Sequence, residues 1–323
     1  MQEPLRLAID RYDRHFPFFD QTLEFPRDLD LTILQVGETT SLRDGAHRHK
    51  RMLQDNEFDI AEVSLSSFIM AKARRLPFVG IPVFPRRLFS QTQMYTHSDT
   101  GLSHPSELSG RKVGLQSFQT TLAVLAKGDV GSEYNVDLRS IDWVVRSGET
   151  ISFEPPEGWN IEYIAAEKDL GKMLLEREID ALFLSRIPST FDGRTIRRLF
   201  KNPEEASTDY FKNSGYFPIM HVIAIREEAS EKKPELPRQI FNLFFQAKNI
   251  SDGYRDDPGW SQLAWEHMSM ARQKEKLGID LWPLGLSKNA ANLDKFINYS
   301  FEQGLIGSQL AVQDLFHQST WDT

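Results

Sequence analysis

Apolar runs short enough for buried strands punctuate the chain. They are LRLAI (5–9), LTILQV (31–36), FDIAEV (58–63), FVGIPVF (78–84), QMYTH (93–97), GRKVGL (110–115), IDWVV (141–145), IEYIA (161–165) and ALFL (181–184). Stretches with helical spacing lie between them. Phe68, Ile69, Met70 and Ala73 follow a serine-rich turn, and Leu170, Met173, Leu174 and Ile179 share one side of residues 167–180. Pro203 and Glu204 open a short helix. From Glu235 the pattern is helical, with Ile240, Leu243, Phe244, Ala247 and Ile250 on one face and a second helix over Trp260–Met270. Strands alternating with helices predict an α/β fold. No internal repeat, low-complexity tract, phosphate-binding glycine loop or dinucleotide fingerprint is present.

The polar residues at strand ends carry the chemistry, because ligands of open α/β sheets sit beyond the carboxyl ends of the strands. FDIAEV ends at Glu62 and runs into Ser64, Ser66 and Ser67, at the start of a helix. Unpaired N–H groups there suit a carboxylate or phosphate. FVGIPVF ends in Pro85-Arg86-Arg87, so Glu62, Ser64, Ser66, Ser67, Arg86 and Arg87 are expected in one cleft. The plainer alternative is a capped helix and a surface arginine pair. Gln116, Ser117, Gln119 and Thr120 form a similar strand-to-helix turn; ordinary capping by Ser117 or Thr120 is its alternative. Arg186 follows ALFL, and Asp13 and Arg14 follow LRLAI. Arg14 has the planar fork to clamp a carboxylate, against which stands a plain surface Asp–Arg pair. His47 and His49 are two apart and do not share a helix face, so residues 46–53 read as a solvated basic face, not a metal pair.

Composition narrows the function classes. The chain has 323 residues, 40% hydrophobic and 26% charged, as expected of a globular protein of about two domains. A net charge of −8 argues against a nucleic-acid partner. With no cysteine, disulfides, thiolate metal sites and cysteine nucleophiles are excluded. The opening MQEPLRLAIDRYDRHF has no secretory apolar core, and no apolar run is long enough to span a bilayer, so the expected location is the cytoplasm, with no membrane partner.

EVSLSSFIMAKAR followed by FVGIPVFPRRLF resembles the 4,5-dihydroxyphthalate decarboxylase family, as does Phe217-Pro218-Ile219-Met220-His221. The resemblance implies a two-lobed type II periplasmic-binding-protein-like fold with a ligand cleft between the lobes. Lobe one is then residues 1–92 and 216–323, and lobe two is 93–215. It implies non-oxidative decarboxylation of a hydroxylated aromatic acid, 4,5-dihydroxyphthalate giving 3,4-dihydroxybenzoate and CO₂. A non-catalytic binding protein or sensor for an aromatic carboxylate is the alternative. His221 and Glu62 are expected to handle protons. Arg14, Asp13, Ser66, Ser67, Arg87, Gln119, Thr120 and Arg186 are expected to hold the substrate. No cofactor is implied, and a divalent metal is left open; a homo-oligomer is the quaternary expectation. The chain departs from the family pattern at Ser90-Gln91, where relatives carry Arg-His, and at Leu284, where they often carry tyrosine.

Overall fold

The computed structural model describes residues 4–146, 148–278 and 280–323. The chain divides into two compact units. One holds the residues up to Arg86 together with His221–Ala291 and Leu310–Thr323; the other holds Arg87–Met220 and Asn292–Gln309. The first unit begins with β1 (Leu5–Ile9), β2 (Leu31–Gln35), α1 (Arg48–Leu53), β3 (Ile60–Ser64), α2 (Leu65–Ala73) and β4 (Phe78–Ile81). The second unit carries β5 (Met94–His97), β6 (Lys112–Leu115), α3 (Thr121–Ser132), β7 (Asp142–Arg146) and β8 (Asn160–Ile164). It continues with α4 (Leu170–Leu175), β9 (Ala181–Phe183), β10 (Ile196–Arg198) and α5 (Pro203–Ser214). The chain then returns to the first unit as β11 (His221–Arg226), α6 (Glu227–Lys232), α7 (Leu236–Tyr254) and α8 (Glu266–Leu277). Most of α9 (Ala290–Glu302) belongs to the second unit.

Each unit has one mixed sheet. In the first the order is β2-β1-β3-β11-β4, with β1 parallel to β2 and β3, and β11 antiparallel to β3 and β4. The second sheet has the order β10-β5-β9-β6-β7-β8. Every residue of β3 is buried, which is why its sequence reads as a continuous apolar run broken only by Glu62 and Ser64. Leu7, Ile9, Ile60, Ile81, Ile223 and Ile225 on this sheet pack with Ile240, Leu243, Phe244 and Ala247 of α7, the face that the periodicity marked out.

Several helices differ from the sequence reading for local reasons. α4 is shorter than residues 167–180 because Arg177 adopts a left-handed backbone with φ 61°. α5 runs on to Ser214, starting at the Asn202 cap and ending at Gly215, whose φ of 78° suits glycine. The helix expected over Trp260–Met270 lies instead at Glu266–Leu277, since residues 254–260 turn and place Trp260 against Tyr254, with ring centroids 4.5 Å apart. Residues 46–53 are not a solvated basic face: Arg48 and His49 of α1 are buried, because α1 packs on β3 and offers Arg48 a buried carboxylate. Among the described residues no helix is long and apolar enough to cross a membrane.

In the second unit α3 and α9 meet at Gly128, where an added Cβ would stand 2.2 Å from the Tyr299 ring. The close approach lets the Tyr299 hydroxyl donate to Asp129 Oδ1 at 3.1 Å, while Ser90 Oγ donates to Oδ2 at 2.5 Å. Asp129 is wholly buried, and burial pushes its carboxyl up to about 7, against the lowering effect of Ser90. Between about pH 4 and 7 the folded state holds a proton that the unfolded state has released, so stability falls as pH rises through that window. Asp129→Asn is expected to flatten this slope and to stabilise the protein at pH 8 by up to about 4 kcal/mol. Urea unfolding at pH 4, 6 and 8 checks it; an unchanged slope would show that Asp129 is ionised in the fold.

Candidate active site

The register of β3 and β11 builds the site. Ile223 of β11 stands opposite Glu62 of β3, and His221 opposite Ser64. Side chains two apart on a strand share a face, so Glu62 and His221 are diagonal neighbours on one side of the sheet. The His221 ring bonds through Nδ1 to Glu62 Oε1. Tyr12 donates its hydroxyl to the same oxygen at 3.1 Å, and the Asp10 amide donates to Oε2 at 3.3 Å. Arg48, itself fully buried, places a guanidinium nitrogen 3.1 Å from Oε2. Its Nε donates to the Glu62 backbone carbonyl at 2.9 Å, and a further nitrogen donates to the Val36 carbonyl.

These contacts set the protonation states. Burial would raise the Glu62 carboxyl, but Arg48 and the His221 hydrogen bond outweigh it and hold the group well below the usual carboxylate range. Burial lowers His221, and Arg86 and Arg48 add to the effect against the pull of Glu62. Glu62 is therefore an anion and His221 a neutral imidazole. An ionised carboxylate only accepts, so Nδ1 of His221 carries the hydrogen and Nε2 the lone pair. Tyr12 is raised by burial and by Glu62, so it stays a phenol. The arrangement is a fixed, neutral imidazole backed by a buried carboxylate.

A second imidazole lies beside the first. The rings of His49 and His221 are 4.9 Å apart at 85°. His49 Nδ1 lies 3.4 Å from Glu38 Oε2, and the His49 amide donates to that oxygen at 3.0 Å. Burial, with His221 and Arg48, lowers His49 to about 3. Burial pushes Glu38 up, but His49, its backbone amide, Arg48 and His221 together outweigh it and hold the carboxyl below its usual value, so it is ionised.

The other residues singled out from sequence fall as follows. Arg14 is stacked between Tyr12 and Trp282, 4.4 Å and 3.9 Å from the ring centroids. It pairs with Asp13 at 3.1 Å and donates to the Pro85 carbonyl, while Asp13 also pairs with Arg255. Leu284 lines a small apolar cavity with Arg14, Val83, Pro85, Phe244 and Trp282. Ser64 occupies the cap position of α2 without a side-chain capping bond; Ser66 and Ser67 are buried in the first turn.

Arg87, Gln119, Thr120 and Arg186 belong to the second unit. The buried Arg87 donates to the Phe217 carbonyl at 2.7 Å, and Arg186 is exposed. Thr120 caps α3 by accepting the Ala123 amide at 3.3 Å. The Gln119 side chain pairs with the Ile151 backbone in both directions, at 2.5 Å and 3.0 Å. Ser117 Oγ and the Phe118 amide each donate to the Glu149 carboxylate at 2.7 Å, and the Gln119 amide at 3.3 Å. This turn does bind a carboxylate, one supplied by its own chain.

Sequence reasoning missed Tyr12, Glu38, Arg48 and His49. Tyr12 had a signal, since it follows the end of β1 beside Asp10. Arg48 and His49 had none, because a basic segment reads as solvated until its acidic partners are known. Among the described residues, no group of three His, Asp or Glu side chains has the arrangement to hold a metal ion.

The chain has the fold of periplasmic binding proteins. It superposes on the periplasmic aliphatic sulphonate binding protein of Escherichia coli with TM-score 0.56 and 13% identity, over 98% of this chain and 93% of that one. For the alkanesulfonate-binding protein of Xanthomonas axonopodis pv. citri the values are 0.54 and 13%, over 98% and 99%. In sequence, the chain is similar to two proteins named 4,5-dihydroxyphthalate decarboxylase, to one of them along nearly its whole length. That of Comamonas testosteroni is 28% identical over 331 residues, covering 99% of this chain and 98% of that protein. That of Pseudomonas putida is 28% identical over 222 residues, 66% of this chain and 83% of the other. No family model matches the chain.

Proposed function

We propose that the protein is a carboxy-lyase of the cytoplasm that converts 4,5-dihydroxyphthalate to 3,4-dihydroxybenzoate and CO₂, with Glu62 and His221 handling the protons. The observation that carries the reading is the similarity to a decarboxylase of that name over 99% of this chain. The chemistry is within reach of the residues described. Each ring carbon that bears a carboxylate in this substrate lies para to a ring hydroxyl. Removing the hydroxyl proton pushes electron density onto that carbon, which takes a proton and sheds CO₂. His221, neutral and aimed by Glu62, has the free lone pair for the first step. Arg14, and Arg86 whose charge is felt at His221, supply cations for the carboxylates, with the first turn of α2 around Ser66 and Ser67 as further donors. The grip assigned to Arg87, Gln119, Thr120 and Arg186 is indirect in this reading for the first three, whose side chains hold backbone in place.

Incubation with a panel of hydroxylated phthalates and benzoates, following CO₂ and the aromatic product, tests the proposal. Turnover is expected to be fastest with 4,5-dihydroxyphthalate. Tight binding without turnover across the panel would replace this reading with that of a binding protein.

A further inference from the structure

The Glu62–His221 pair has a counterpart that the reaction so far leaves idle. His49 Nδ1 faces a Glu38 carboxylate oxygen at 3.4 Å, a looser version of the Glu62–His221 pairing, and the two imidazole rings stand 4.9 Å apart, nearly perpendicular. Both rings are buried, with 5% of His49 and 7% of His221 exposed. Nδ1 of His49 is enclosed yet makes no hydrogen bond. A buried polar atom left without a hydrogen bond costs about 1–3 kcal/mol, which a purely structural side chain would not retain without reason.

We propose that His49, positioned by Glu38, is a second acid–base residue, delivering the proton to the ring carbon while His221 takes the phenolic one. The proposal rests on the decarboxylase reading and deepens it. A hydroxyl and the carbon para to it lie on opposite edges of a benzene ring. One imidazole cannot reach both at once, whereas two neighbouring imidazoles can, one at the hydroxyl in the ring plane and one over the face of the carbon that takes the proton. The hydroxyl proton passes to Nε2 of His221. The oxygen pair becomes a C=O bond, and electrons shift through the ring to the carboxyl-bearing carbon. That carbon bonds to the proton held by His49. The bond to the carboxylate then breaks, CO₂ leaves, and its electron pair restores the aromatic ring and returns negative charge to the oxygen. The oxygen recovers its proton from His221, and His49, left neutral, takes its next proton from solvent when substrate binds, so one proton is consumed per CO₂ released. In the empty site burial keeps His49 neutral. Two substrate carboxylates placed nearby favour its protonated form, so binding loads the proton that the reaction needs.

Phthalate, which has both carboxylates and no hydroxyl, separates loading from turnover. Calorimetry at pH 6 in two buffers of different ionisation enthalpy is expected to show net proton uptake when phthalate binds the wild type. His49→Gln should lose at least half of that uptake. With 4,5-dihydroxyphthalate its kcat should fall about a hundredfold, with KM within a few-fold. Exchange of the product's ring hydrogen for deuterium in D₂O should fall in parallel, an effect that a merely structural histidine would not produce. Glu38→Gln should lower kcat less and move its pH profile. A wild type that turns over, with His49→Gln retaining kcat within threefold and proton uptake intact, overturns the proposal alone. A wild type with no turnover overturns the decarboxylase reading beneath it. Should His49→Gln fail to fold, unchanged kcat, pH profile and proton uptake in Glu38→Gln overturn the proposal.

Discussion

Replacing His221 with alanine is expected to lower kcat by roughly 10²–10⁴-fold while substrate affinity stays within a few-fold, the loss typical of a general acid–base group. The reason is local. His221 is the first residue of β11, and the strand pairing sets it diagonal to Glu62. The carboxylate fixes its tautomer and leaves Nε2 as the base. Burial lowers the imidazole below its ordinary value near 6.5, so the acid limb of the kcat/KM profile is expected below that value. Glu62→Gln tests the partner: glutamine can still bond to Nδ1 but carries no charge, so the limb should move further down and kcat should fall less than in His221→Ala. Steady-state rates across pH 5–9, with circular dichroism as a check on folding, decide the matter. A His221→Ala protein with near-normal kcat would remove His221 from the chemistry and leave the carboxyl group as the proton carrier.

Replacing Arg48 with methionine should destabilise the protein by about 3–5 kcal/mol at pH 7, the usual cost of leaving one partner of a buried ion pair uncompensated. Both side chains are fully buried and 3.1 Å apart, and Arg48 also donates to the Glu62 and Val36 carbonyls. The deficit should depend on pH in a definite direction. Glu62 is depressed in the fold, so the stability it contributes is present above its unfolded value near 4.5 and is lost as pH falls through the folded value. The variant lacks that contribution, and the gap between the two proteins should narrow in acid. Denaturant unfolding at pH 7 and pH 4 measures both quantities. A gap of under about 1 kcal/mol at pH 7 would mean that Glu62 protonates freely and that Arg48 is dispensable for holding the anion.

Several parts of this protein were written locally and could be read without a structure. β1, β3 and α7 follow from apolar runs and from one clean helical face. Glu62 was conspicuous as a carboxylate at the carboxyl end of an apolar strand, next to a serine-rich turn. The helix over Glu266–Leu277 was misplaced because its register depends on the turn before it, and none of its residues is buried to anchor the pattern. Arg14 was legible as a cation beyond a strand end, but its stacking between Tyr12 and Trp282 joins residues 268 positions apart (282 − 14) and left no trace in the local pattern.

The sequence by itself determined that this is an α/β chain whose strands end in serines, arginines and one buried carboxylate, because strand burial and polar strand ends are properties of neighbouring residues. Only the tertiary structure decided which of those groups meet. β11 enters the first sheet between β3 and β4 after an excursion through residues 87–220 of the second unit, and its register brings His221 onto Glu62 across 159 residues of chain. α1 packs on β3 and converts Arg48 and His49 from an apparently solvated basic run into the counter-charge and the second imidazole of the cluster. The physical reason is that a side chain's charge state depends on burial and on partners within a few ångströms, and those partners are fixed by strand pairing, not by distance along the chain.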